Sequence, residues 1–318
     1  MEGKLFRRLG IWTIVAVYIL ILVGGVVRAT GSGMGCPDWP KCFGTWIPPT
    51  DASQLPVNYK EIFGAKLKGE VEFNVVKTWT EYVNRLVGVS IGLLIFATFV
   101  VAFKEYWKKD KVIVWLSFLS FILVGFEGWL GAKVVSNELL PSMVTIHMLV
   151  SIIIVFLIQY TVVRSYSKII NAGEFNHKSS INYILTILIV LTVGQVLFGT
   201  QVRELVDEAS FTLGESARSE WIESIGGKYY FHAGFSILLL IINFILFRKI
   251  EQNTIQKGLV NVLSKSVTIV LAIEIIAGGV LGFFSLPAFI QPIHLTLSVI
   301  IVGLQFVLML TINKKNLS

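Results

Sequence analysis

Apolar residues in this chain of 318 residues gather into eight long runs separated by polar segments. Each run holds about 18 residues or more, enough for a helix to cross a hydrocarbon layer about 30 Å thick. Helices are expected because backbone groups inside lipid must bond within their own segment. The sequence therefore predicts eight transmembrane helices, at 9–27, 79–103, 112–135, 139–163, 181–202, 229–247, 266–286 and 287–312.

The composition supports a membrane protein, since 54% of the residues are apolar and only 15% are charged. The first run is interpreted as a helix, not a cleaved signal peptide, because no small-residue cleavage site fits well after it. The net charge of +7 reflects basic connecting segments, and no nucleic-acid partner is indicated. Lys and Arg residues gather in every second segment: Lys4, Arg7, Arg8; Lys104, Lys108, Lys109, Lys111; Arg164, Lys168, Lys178; Arg248, Lys249, Lys257, Lys265; Lys314, Lys315.

This distribution predicts that both termini face the cytoplasm. It also places two polar loops on the outer side, a long one at 29–78 and an acidic one at 203–228.

Polar residues inside the runs recur at a constant spacing, which indicates an internal duplication. Three pairs are separated by 147 positions: Glu127 with Glu274, Gly131 with Gly278, and His147 with His294. Asn84 corresponds to His232 at nearly the same spacing, and the segment ending in Arg28 resembles the one ending in Arg203. We therefore predict an all-α membrane protein of two pseudo-twofold-related four-helix halves, 1–163 and 181–318, joined by a linker at 164–180.

Three histidines fall inside predicted helices at similar depth near the outer side, namely His147, His232 and His294. An ionisable residue in a span is costly and usually functional, although a single His often only bonds a neighbouring helix. His232 and His294 lie on helices that run in the same direction, which suits two axial ligands of the iron in a planar macrocycle. Zinc is less favoured because no Cys lies at that depth.

Charged residues near the outer ends of the runs allow two interpretations each. Arg28 and Arg203 either extend to the membrane interface or bind the carboxylates of a macrocycle. Glu81 lies one helical turn from Asn84 and Arg85. It either pairs with Arg85 as a structural contact or serves as a carboxylate beside a substrate.

Two further groups are open to structural or chemical roles. Glu127 and Glu274 are interpreted mainly as hydrogen-bonding residues between helices. Cys36 and Cys42 lie in the long outer loop, where they either form a structural disulfide or exchange electrons. Their spacing is not that of a zinc site or of covalently attached haem.

These residues together resemble the haem A synthase family, whose members convert haem O into haem A by oxidising a porphyrin methyl group to a formyl group. The resemblance covers nearly the whole chain. It is strongest in the segment GGVVRATGSGMGCPDWPKC at 24–42, in Glu81-Tyr-Val-Asn84-Arg85, and in the three intramembrane histidines.

The resemblance implies that the C-terminal half holds haem b between His232 and His294, and we expect Arg203 to bind a haem carboxylate there. It implies a haem O site in the N-terminal half, with His147, Asn84, Arg85 and Arg28 around it and Glu81 as the essential carboxylate. The cysteine pair is expected to pass electrons or to assist haem handling.

The chain departs from the family pattern at Asn84, where many members carry His, so His147 alone is expected to bind the substrate iron. The second outer loop also lacks a cysteine pair that some relatives carry. A haem-b electron-transfer cytochrome and a haem carrier or insertion factor are the alternative functions.

The expected location is the cytoplasmic membrane of a bacterium. The expected partners are membrane lipid, a haem O synthase upstream and an electron donor that the sequence does not identify. A homo-oligomer is a further hypothesis.

Overall fold

The protein is described by a computed structural model covering residues 3–64, 72–136 and 140–317. Residues 65–71 of the predicted first outer loop and residue 139, the predicted start of the fourth span, lie outside the described residues. The helices in chain order are α1 (Lys4–Ala29), α2 (Tyr59–Gly64), α3 (Val75–Tyr106), α4 (Lys111–Ser136), α5 (Pro141–Tyr166), α6 (Lys178–Leu213), α7 (Trp221–Ile225), α8 (Gly227–Asn253), α9 (Leu259–Phe283) and α10 (Ile290–Ile312).

Eight of the described helices, all except α2 and α7, are long and apolar enough to cross a membrane. This confirms the predicted number of spans. Most observed helices extend several residues beyond the predicted runs, because hydropathy detects only the apolar centre of a helix and not its polar ends.

Contacts between helix ends show that α1 runs opposite to α3 and that α6 runs opposite to α10. The backbone N–H of Phe6, at the start of α1, donates to Oε2 of Glu105 at the end of α3 (3.1 Å). The side-chain amides of Asn182 and Asn313 exchange hydrogen bonds of 2.9 and 3.1 Å between α6 and the residue after α10. We call this end of the bundle the basic end, because the clustered Lys and Arg segments lie there. The opposite end, which carries the cysteines, is the loop end.

The helices of the two predicted halves pack mainly among themselves, α1, α3, α4 and α5 on one side and α6, α8, α9 and α10 on the other. The two groups meet along α1, α5, α6 and α10. Phe156 of α5 stacks on Phe306 of α10, with ring centroids 4.3 Å apart. The two helix groups therefore pack against each other through a shared apolar cluster, Ile152, Val196, Val299 and Val302.

The predicted outer loop at 203–228 is largely helical, which corrects the sequence interpretation. Helix α6 continues to Leu213, a 3₁₀ helix covers Glu215–Glu220, and α7 follows. The predicted span ends before Arg203 because the apolar run ends there. A helix can nevertheless continue outside lipid, where it can carry charged side chains. Asp207 pairs with Arg203 one turn earlier (2.7 Å), a spacing that stabilises a helix.

A short antiparallel ribbon at the basic end was not predicted. Strand β1 (Glu174–Phe175), in the predicted linker, pairs with β2 (Thr254–Gln256), which follows α8. Gly258 lies so close to the backbone of Gly173 that a Cβ atom at Gly258 would lie 2.1 Å from the Gly173 nitrogen. These strands are too short to give a periodic pattern, so the sequence contained no signal for them.

Candidate functional site

His232 of α8 and His294 of α10 face each other near the loop end. Their ring centroids lie 6.4 Å apart and the rings are inclined at 74°. Two imidazole nitrogens that bind one metal atom from opposite sides are about 4 Å apart, and the ring centres then lie roughly 6 Å apart. Nδ1 of His232 is buried and makes no hydrogen bond to a described residue. The pair therefore fits two axial ligands of one iron.

A buried glutamate lies beside His294 and another beside His147. Nδ1 of His294 is 3.1 Å from Oε1 of Glu274, and Nδ1 of His147 contacts Oε2 of Glu127. These are ion-pair separations, although neither pair is aligned as a hydrogen bond. A carboxylate at Nδ1 leaves Nε2 available to a metal and fixes the direction of the ring. The glutamates contact histidines of the neighbouring helices as ion pairs, where the sequence analysis expected hydrogen bonds between helices and did not identify the imidazoles as partners.

Each intramembrane histidine also packs against a glycine of the neighbouring helix. A Cβ atom at Gly199 or Gly278 would lie 3.2 Å from the nearest ring carbon, which is closer than ordinary packing allows. A Cβ atom at Gly131 would lie 3.7 Å from the nearest ring carbon of His147. The pairs are Gly131 with His147, Gly199 with His232, and Gly278 with His294. The space that the imidazoles occupy thus explains Gly199 and Gly278, whereas a Cβ atom at Gly131 would make only ordinary van der Waals contact with His147.

Asn84 differs from the histidines in its surroundings. Its carbonyl oxygen is buried and accepts no hydrogen bond within the described part of the chain. Gly24, which corresponds to Gly199 in the predicted repeat, has no described atom near the position of a Cβ. The amide of Asn84 therefore has an acceptor available for a bound molecule.

Glu81 is only 3% exposed, and both of its carboxylate oxygens are already bound. Oε1 pairs with Arg85 at 2.5 Å, and Oε2 accepts a 2.8 Å hydrogen bond from the backbone N–H of Cys36. The structural Glu81–Arg85 pair considered from the sequence is present. The sequence did not indicate that the outer loop would supply the second partner.

Cys36 and Cys42 form a disulfide, with their Cα atoms 4.9 Å apart, and both are fully buried. The guanidinium of Arg85 donates to the carbonyl oxygens of Asp38 (2.8 Å) and Lys41 (3.0 Å) inside the loop that the disulfide closes. Arg85 therefore fastens this loop to α3. Because thiol–disulfide exchange requires access to a sulfur atom, the burial favours a structural role in the described conformation.

Arg28 and Arg203 meet at one carboxylate instead of lying in separate sites. Nη2 of Arg28 is 2.9 Å from Oδ2 of Asp207, and Nη2 of Arg203 is 2.7 Å from Oδ1. Arg203 also donates to the side-chain oxygen of Gln291. The arginines do bind a carboxylate, but it belongs to Asp207, a residue that the sequence analysis did not single out.

A hydrogen bond between two threonine side chains lies between His147 and the pair formed by His232 and His294. The side chains of Thr145 and Thr200 hydrogen bond at 2.8 Å between α5 and α6. Thr145 precedes His147 by two residues, and Thr200 follows the glycine that packs on His232. The two candidate sites are therefore neighbours across the interface between the helix groups.

Comparison with known proteins gives a family match over most of the chain. The model of the COX15-CtaA family, described as "Cytochrome oxidase assembly protein", matches residues 7–306. A "Heme A synthase" from Shewanella oneidensis is 27% identical over 187 residues, which is 59% of this chain and 53% of that protein. One from Flavobacterium johnsoniae is 23% identical over 308 residues, 88% of this chain and 89% of the relative. One from Alkalihalophilus pseudofirmus is 30% identical over 145 residues, 44% of this chain and 41% of the relative.

The matched region spans about half the length of the Shewanella relative. The eight apolar helices and the family match together make the chain a multi-pass membrane protein.

Proposed function

The chain belongs to the COX15-CtaA family of cytochrome oxidase assembly proteins, and on this premise we propose that it is a haem A synthase. In this proposal it is an oxidoreductase that converts a methyl group of haem O into the formyl group of haem A through a hydroxymethyl intermediate. The observation that carries the proposal is the facing pair His232 and His294, with ring centroids 6.4 Å apart, near the loop end of a chain that matches this family.

The C-terminal helices are proposed to hold haem b, because their residues fit such a group. His232 and His294 would hold the haem through its iron, and the haem would supply reversible one-electron transfer. The carboxylate of Glu274 lies beside Nδ1 of His294, which leaves Nε2 of this imidazole available to the iron. Gly199 and Gly278 leave the space in which the two imidazoles lie.

The N-terminal helices are proposed to bind haem O as the substrate. His147, beside Glu127, would be the imidazole ligand of the substrate iron. Asn84 would face the substrate with an amide, which is a poor ligand for iron, so His147 alone would hold the substrate iron. The hydrogen bond between Thr145 and Thr200 places the two proposed haem sites next to each other. This proximity supports the proposal that electrons pass between the two sites.

Glu81 is proposed as the carboxylate that holds or moves a proton beside the substrate. In the described conformation it is bound by Arg85 and by the N–H of Cys36. It would therefore have to release one of these partners when it contacts the substrate. Arg28 and Arg203 are proposed to bind haem carboxylates, and such binding would replace their contacts with Asp207.

We propose that the protein lies in the cytoplasmic membrane of a bacterium with its basic end inside. A haem O synthase would supply the substrate, and an electron donor would be a further partner. Assembly into a homo-oligomer remains part of the proposal.

The deciding experiment is coexpression of the chain with a haem O synthase in a host that makes no haem A. Extracted haems are separated by chromatography and identified by mass. We expect haem A and its hydroxymethyl precursor. Haem-loaded, folded protein without either product would overturn the enzymatic function.

The single imidazole of the N-terminal site gives the haem carrier a specific observation in its favour. Haem O that copurifies unchanged with the protein, in the same experiment, would identify this alternative. The electron-transfer cytochrome is less favoured because the three intramembrane histidines all lie within two turns of the loop-end starts of α5, α8 and α10. A cytochrome that carries electrons across the membrane needs ligands near both ends.

A further inference from the structure

A cavity of about 540 Å³ lies at the basic end, opposite the histidines. It is formed by Gly3, just before α1, and by the end of α3 with the turn that follows it. Three lysines and two aromatic side chains contribute to its wall, namely Lys104, Lys108, Lys109, Phe103 and Trp107. Its volume is in the range of about 300 to 1,000 Å³ that is typical of small-molecule sites.

The wall of this cavity carries a net positive charge, because three lysines and one glutamate contribute to it. Lys104 and Lys108 are exposed, and no hydrogen bond or ion pair joins either to a residue in the described ranges. Glu105 is the acidic residue in the wall, and its Oε2 already accepts the backbone N–H of Phe6. The cavity is therefore suited to an anion.

An exposed aromatic strip continues from the cavity along α3 and α4 toward the middle of the bundle. The rings of Phe103 and Trp107 have centroids 4.8 Å apart, and Trp107 is 6.3 Å from Trp115. The half-buried ring of Phe118 extends the strip, 6.1 Å from Trp115. Nζ of Lys111 lies 5.7 Å from the ring centre of Trp107. Exposed aromatic side chains next to basic residues are typical of the level where lipid headgroups meet acyl chains.

We propose that this cavity binds the headgroup of one anionic phospholipid. The ammonium groups of Lys104, Lys108 and Lys109 would surround the phosphate, and an acyl chain would lie along the aromatic strip. A soluble phosphate would use the lysines alone, so the exposed rings favour a lipid as the occupant. This inference does not depend on the proposed reaction.

The test uses the full-length protein in detergent, with lipid binding measured by native mass spectrometry. Phosphatidylglycerol and phosphatidylcholine with identical acyl chains are titrated separately. We expect one tightly bound phosphatidylglycerol per chain and weaker binding of phosphatidylcholine. Since each basic residue near an anionic lipid contributes a factor of about five, K104Q/K108Q should lower the affinity for phosphatidylglycerol by about tenfold or more. K104R/K108R should retain it.

The matched control is K168Q/K265Q, which removes the same charge from exposed positions at the same end. It should leave the affinity within about twofold of the wild type. An equal loss in this control would show a diffuse charge effect and overturn the site. Equal affinity for the two lipids would also overturn it.

A second variant separates a lipid from a free phosphate. W107A should weaken binding of phosphatidylglycerol and leave the binding of glycerol phosphate unchanged. If inorganic phosphate displaces the lipid at equal concentration, or if W107A has no effect on lipid affinity, the occupant is a phosphate ion and the lipid site is refuted.

Discussion

The backbone N–H of Cys36 donates a 2.8 Å hydrogen bond to Oε2 of Glu81. Because Cys36 is one end of the disulfide, the cysteine loop at the loop end and the candidate catalytic carboxylate form one connected unit. Arg85 strengthens this unit, since its guanidinium binds Oε1 of Glu81 and two carbonyl oxygens of the loop. A change in the loop is therefore expected to alter the position of Glu81.

Replacing Glu81 by Gln should stop turnover without removing the C-terminal haem. Gln keeps the size of the side chain but cannot carry the charge or accept a proton, a loss that costs about 100-fold or more in general acid–base catalysis. The measurement is haem A content after coexpression with a haem O synthase, together with the haem b spectrum. E61Q, an exposed change in the same outer loop, is the control and should remain active. Normal haem A production by E81Q would refute the role of Glu81.

Removing the disulfide should impair turnover through Glu81. The double variant C36S/C42S loses a constraint worth roughly 2 kcal/mol for so short a loop, and the loop then holds the N–H that binds Glu81 less firmly. We expect haem A production to fall while the haem b spectrum stays unchanged. If the Cys pair were irrelevant to Glu81, haem A production by C36S/C42S would equal that of the wild type.

Either H232A or H294A should abolish the haem b spectrum, because each removes one of the two facing imidazoles that are proposed to hold the haem. Absorption spectra of the purified proteins provide the measurement. H177A, which changes the histidine that precedes α6 at the basic end, is the control and should retain full haem content. Tight haem b in both H232A and H294A would show that the ligand assignment is wrong.

The glycine beside His294 offers a sharp test of the space around the imidazole. G278A would place a methyl group 3.2 Å from Cε1 of His294, whereas G279A meets open space among the described atoms. Both variants gain the same helix propensity, so this contribution cancels. Overpacking typically costs about 1 to 3 kcal/mol, and G278A should lose haem b relative to G279A. Equal haem content in the two variants, measured per folded protein, would contradict the packing argument.

Much of the candidate site could be found from the sequence because a polar residue inside an apolar run is conspicuous. His147, His232 and His294 stand out in this way, and their spacing identified the related glutamates and glycines. The contacts of those glutamates with the histidines could not be predicted from the sequence. Glu127 and Glu274 lie 20 residues before their histidines, on the preceding helix, so their pairing depends on how each helix is rotated.

The sequence by itself determined the eight helices, because a backbone in lipid has no other way to satisfy its hydrogen-bonding groups. It also determined which polar residues lie within the spans. Only the tertiary structure decided that α6 continues to Leu213, since hydropathy carries no information outside lipid. The convergence of Arg28 and Arg203 on Asp207, and the contact of Cys36 with Glu81, likewise required the fold. These contacts join residues that are distant in the chain, so they depend on packing between elements and not on any local pattern.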